Sequence, residues 1–134
     1  MSDYAPRTIR FETAKVDIAD DRCIAQVEVK TPGIGNFTGS AQGGVDEADQ
    51  LRAVARATAD ALSDAFMAHN AKVWVLSVQV VEALPLNAVM VTLAASKGGY
   101  ERTLLGICNC DDHDAAKATA LAVLNATNRF LSRG

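Results

Sequence analysis

Polar and apolar residues alternate from Thr8 to Ile18, with Ile9 and Phe11 on one parity and Ala14, Val16 and Ile18 on the other. A period of two predicts a strand, and the change of parity near Thr13 predicts a bulge. Ala19–Arg22 reads as a turn into a second strand, Cys23–Lys30, with Val27 and Val29 inward and Gln26, Glu28 and Lys30 outward. The proline and glycines of Thr31-Pro-Gly-Ile-Gly-Asn36 predict a loop, and Phe37–Ala41 a short third strand. After Gln42-Gly-Gly-Val45 the period becomes helical. Asp46 is placed to cap a helix that carries Leu51, Val54, Ala55, Thr58, Leu62 and Phe66 on one face and closes near His69-Asn70.

The same order then restarts. Lys72–Ala83 is a valine-rich strand, Ala88–Ala95 a second and Tyr100–Cys108 a third, with the glycine loop Ser96–Gly99 between the last two. A helix over about Asp112–Leu131 follows, with Asp111 or Asp112 as its cap. An offset of about 65 residues sets turn against turn and loop against loop, the mark of an internal repeat over residues 8–70 and 72–131. The predicted fold is α+β in one domain, residues 1–134: a duplicated βββα unit with pseudo-twofold symmetry, mainly antiparallel strands and two helices on one face.

The halves differ in what their strands turn outward. The first half directs Arg10, Glu12, Lys15, Asp17, Gln26, Glu28 and Lys30 away from the core. In the second, Trp74, Leu76, Val78 and Val80 make the natural core side, which leaves Val73, Val75 and Val81 opposite. Met90 joins these, as does Leu104 if Leu105 and Ile107 face the core. An apolar outer face predicts a covered surface, so Val73, Val75, Met90 and Leu104 are expected at the interface of a homodimer or with a protein partner.

Composition narrows the function by exclusion. A net charge of −3 provides no basic field for phosphates, which argues against nucleic acid as the partner. No apolar run is long enough to span a membrane and no secretory signal is visible, so a cytoplasmic protein with free Cys23, Cys108 and Cys110 is expected. Cys108-Asn-Cys110-Asp-Asp-His113 has ligand-type residues but lacks zinc-knuckle spacing and a second pair; no metal and no cofactor are expected. No acid–base or nucleophile arrangement surrounds either histidine, so an enzyme is not expected. Glycines that open a helix leave N–H groups able to hold a carboxylate or phosphate, which makes Gln42, Gly43 and Gly44 the candidate ligand site; a tight strand-to-helix turn is the competing reading.

The end of the chain carries a family likeness. Arg102-Thr103 opens a strand with Gly106 near its end; Asp111-Asp112 and the alanine-rich Ala115–Ala118 follow, closing on Leu124-Asn-Ala-Thr-Asn-Arg129. This pattern and the repeated βββα order resemble the C-terminal regulatory domain of the 2-isopropylmalate synthase family. The letter match lies within about residues 102–130, and the order of elements extends it over 8–131. The resemblance implies a non-catalytic, homodimeric domain that senses a small amino acid, leucine in that family, near its dimer interface and feeds back on a separate catalytic barrel. Where the family has a Gly-Asn-Gly-Pro-type run before the first helix, this chain has Gln42-Gly-Gly-Val45. A protein-interaction module that docks through the second-half sheet face and takes no small molecule is the alternative.

Overall fold

The computed structural model describes residues 9–65, 71–83, 86–110 and 114–132. Its elements are β1 (Arg10–Ala19), β2 (Arg22–Thr31), β3 (Gly35–Gly43), α1 (Glu47–Ala65), β4 (Ala71–Ala83), β5 (Leu86–Lys97), β6 (Tyr100–Asn109) and α2 (Ala115–Ser132). The strands form two antiparallel three-stranded sheets, β1-β2-β3 and β4-β5-β6, each followed by its helix. The fold is thus α+β with a duplicated βββα arrangement.

The repeat extends to detail. Each half opens on a bulged strand: the register shifts between Phe11 and Thr13 in β1 and between Val75 and Ser77 in β4. The first bulge is legible as a parity change; the second is hidden in a run of apolar residues. Gly98 and Gly99 close the β5–β6 hairpin with φ of 59° and 85°, the pair of positive angles that a tight two-residue turn needs.

Both helices lie almost on the strand that precedes them. A Cβ on Gly39 of β3 would stand 2.0 Å from the carbonyl oxygen of Ala57, and one on Gly106 of β6 would stand 2.0 Å from that of Ala122. The helix side of each contact is a stripe of buried alanines four residues apart: Ala53, Ala57 and Ala61 in α1, Ala118, Ala122 and Ala126 in α2. Only methyl groups facing a bare backbone permit that approach. The buried threonines of the helices are satisfied by helix carbonyls, Thr58 donating to that of Val54 and Thr127 to that of Val123.

The halves are tied together by their helices. Helix α1 packs on β2 and β3 and reaches β4 of the other sheet; α2 packs on β5 and β6 and reaches β1. At that second crossing the Asn128 side chain accepts from Ile9 N and donates to Ile9 O, both at 3.1 Å. The Lys117 ammonium lies 5.9 Å from the centre of the Phe11 ring. Helix α2 begins later than its sequence suggests: Asp114 is the cap, its Oδ1 accepting from Lys117 N at 2.9 Å. Asp111 and Asp112, the caps expected from sequence, lie outside the described residues, as do Phe66, His69 and Asn70 at the end of the first helix. Among the described residues no helix is long and apolar enough to cross a membrane.

Candidate functional site: the outer face of the second sheet

Register decides which side chains share a face. Across the second sheet, Trp74 lies beside Ala94 and Thr103, Ser77 beside Thr92 and Leu105, and Gln79 beside Met90 and Ile107. The helices cover the other face, where Val89, Val91 and Leu93 are fully buried. The outer face therefore collects Trp74, Leu76, Leu105 and Ile107, which are 44%, 58%, 55% and 55% exposed, with Met90 half-buried between them. No charged side chain interrupts this centre.

Three of the four residues expected on that face are not there. Val73 is buried, and Val75 and Leu104 are half-buried against the core. In β4 the cause is the bulge: upstream of Leu76 the inward residues are Val73 and Val75, downstream Val78 and Val80, so unbroken alternation inverts the first part of the strand. In β6 the cause is Gly106. A glycine leaves no hydrophobic signal, yet its missing side chain is what admits α2, so Leu104, Gly106 and Cys108 face in and the bulkier Leu105 and Ile107 face out. Met90 alone of the predicted set lies on the outer face. The sequence pattern turns Trp74, Leu76, Leu105 and Ile107 inward instead, and the close pairing of a glycine with an alanine stripe is the signal that places the last two outside.

At the ligand site expected at the start of α1, the chain's own Asp49 stands against the glycines. Gly43 is paired with Cys23 at the end of β3, and a Cβ there would meet the Asp49 carbonyl at 3.1 Å. Over Gly44 stands the Asp49 carboxylate, 2.5 Å from where a Cβ would be, and Asp49 also pairs with Arg52 at 3.3 Å. Gln42 turns to the surface and accepts from Arg22 at 3.0 Å. A carboxylate at this position repels an anionic ligand, so Gln42, Gly43 and Gly44 have the geometry of a packed strand-to-helix turn. Asp46 sits at the cap position, its carbonyl accepting from Gln50 N.

Cys23 is buried opposite Gly43, and Cys108 lies on the inner side of β6 beside Val89. Among the described residues no three His, Cys, Asp or Glu side chains converge as metal ligands; both histidines lie outside them. An open cleft of about 530 Å³ separates the α1 ridge of Arg56, Asp60, Ser63 and Asp64 from the first part of β4. No protein-family model matches this chain, and no curated protein matches it.

Proposed function

We propose that the protein is a non-catalytic module that works by docking, with the outer face of its second sheet as the surface that receives another protein. The observation that carries this reading is the uncharged cluster of Trp74, Leu76, Met90, Leu105 and Ile107 on a face that no described element covers. Full burial of one such side chain contributes roughly 1.5–3 kcal/mol, so a few of them suffice to anchor a partner. The test is a photo-activated cross-linking residue at Leu105, compared with the same residue at Lys15 on the first sheet. Cross-links to another protein from Leu105 and none from Lys15 are expected; equal patterns from the two positions would sink the reading.

The duplicated βββα plan favours a second reading, a regulatory domain that senses a small amino-acid-like molecule, as the resemblance to the 2-isopropylmalate synthase regulatory domain implies. A ligand at a hundred times its dissociation constant adds about 2.7 kcal/mol to folding. Branched-chain amino acids and their 2-oxo acids at millimolar concentration should then raise the melting temperature by several degrees. A flat screen removes this reading and leaves the docking module.

A further inference from the structure

Two sheets have four edge strands, and at three of the four a described helix side chain bonds the backbone of the strand or of the residue just before it. Asn128 bonds both the N–H and the carbonyl of Ile9, the residue just before β1. Asp60 accepts from Ser40 N of β3 at 3.4 Å, and Arg129 donates to the Leu105 carbonyl of β6 at 2.6 Å. On β4 no described side chain bonds the backbone. Its first five residues, Ala71–Val75, instead line the open cleft beside α1. An uncovered edge strand is a template for a further strand.

We propose that β4 pairs antiparallel with β4 of a second copy, so that the two second sheets become one six-stranded sheet across a twofold axis. Three features of the chain fit that occupant. The first is the alternation of β4. With the bulge residues Leu76 and Ser77 astride the axis, Val75 comes beside Val78 of the second copy and Val73 beside its Val80, all inward. Trp74 comes beside Gln79, both outward. A bulge anywhere else along the strand would set inward residues against outward ones over part of its length.

The second feature is Val80. It lies on the inward side of β4, paired with fully buried Val89, yet is 46% exposed, because its own helices do not reach it. Self-pairing brings it into the cleft of the other copy, beneath that copy's α1. The third is the exposed ridge of α1, which reads Arg52, Arg56, Asp60, Asp64 at four-residue spacing. Arg56, Asp60 and Asp64 form no ion pair with any described residue. A twofold axis that crosses the strands antiparallel also sets the ridges antiparallel, with the arginine half of each against the aspartate half of the other. The proposal is independent of the docking reading: the edge joins copies, and the outer face stays free on both.

The experiment uses two variants of the full chain. One reverses the arginines (Arg52→Asp with Arg56→Asp) and the other the aspartates (Asp60→Arg with Asp64→Arg). All four side chains are exposed, but Arg52 also pairs with Asp49 and Asp60 accepts from Ser40 N, so circular dichroism first confirms that each variant folds. The wild type should sediment at twice the chain mass, each variant alone at one chain mass, and their equimolar mixture again at twice. A monomeric wild type, or variants that keep the wild-type mass, would overturn the proposal. So would a fall to one chain mass in Ile107→Glu, which would place the dimer contact on the outer face. Hydrogen exchange of the wild type supplies a second measure. Amides within Lys72–Val75 should be protected at high concentration and lose that protection on dilution; equal exchange at every concentration counts against pairing at this edge.

Discussion

The inner faces of the two sheets are near copies, and the outer faces have nothing in common. Inside, Gly39 and Gly106 hold the same position under Ala57 and Ala122, and three alanines at one spacing line each helix. Outside, the first sheet sets Arg10 beside Lys30 and Asn36, and Lys15 beside Gln26 and Ser40. Asn36 donates to Glu28 at 2.6 Å there. The second sheet carries Trp74, Leu76, Met90, Leu105 and Ile107 in the corresponding region. The inner face answers to the packing of a helix on a strand, which both halves must solve. The outer face answers only to what lies beyond the protein, and there the two halves have separated. Difference on an otherwise repeated frame is therefore the better pointer to use than any single residue type.

The comparison breaks most sharply between neighbours in one strand. Val73 is buried under α1 and Trp74 is on the outer face. Val73→Asp should cost about 3–5 kcal/mol, the range for a buried charge left without a partner. Trp74→Asp should cost less than about 1 kcal/mol in the isolated chain, because its carboxylate stays in water. Denaturant unfolding of the two variants measures this. Equal losses would mean that the bulge at Leu76 does not set the parity of β4.

The glycines come next. Gly39→Ala and Gly106→Ala each place a methyl group against helix backbone, which cannot rotate aside as a side chain could. Overpacking of this kind costs about 3 kcal/mol. The loss should be similar at both sites, since the geometry is the same in both halves. A benign Gly106→Ala would mean that Leu105 and Ile107, not Leu104 and Cys108, face the core.

These two pairs also explain what could be read in advance. Element order, the antiparallel hairpins, the repeat and the first bulge were all legible, because each leaves a periodic mark: Phe11 and Ala14 fall on opposite parities, and Leu51, Val54 and Leu62 recur at helical spacing. The second bulge was not, because Val73, Trp74, Val75 and Leu76 are all apolar and a slip among them changes no pattern. Nor was the inward face of β6, where the residue that matters most is the one with no side chain. The outer site was thus anticipated as a region and misassigned in three of its four residues, Val73, Val75 and Leu104. At Gln42–Gly44 a ligand site and a tight turn could not be told apart in the sequence for a different reason: the carboxylate that stands over Gly44 comes from Asp49, a residue whose sequence position suits the helix dipole equally well.

The clamp between the halves sets the next scale. Asn128→Ala removes two hydrogen bonds to Ile9, each worth about 0.5–1.5 kcal/mol net, and should lower stability by about 1–2 kcal/mol. Because Ile9 lies at the free end of β1, the loss should appear in hydrogen exchange as earlier opening of β1 than of β2. Uniform opening of the whole first sheet would show that the clamp holds the fold and not merely its margin.

The smallest effect is the one that bears on use. Met90 lies between Gln79 and Ile107 on the outer face of the second sheet, and no helix covers it. Met90→Glu puts a carboxylate among apolar neighbours that are themselves open to water, so it need not be desolvated in the isolated chain. Its cost to folding should stay within about 0.5 kcal/mol, the usual range for a surface change. Against a docked partner the same carboxylate would be buried without a counter-charge and would weaken the complex by at least the roughly 1.5–3 kcal/mol that Met90 contributes when covered. The expected result is a wild-type melting curve together with loss of the cross-links formed from Leu105. A variant that unfolds would place Met90 in the core, and one that keeps both its melting curve and its cross-links would make this face an ordinary surface.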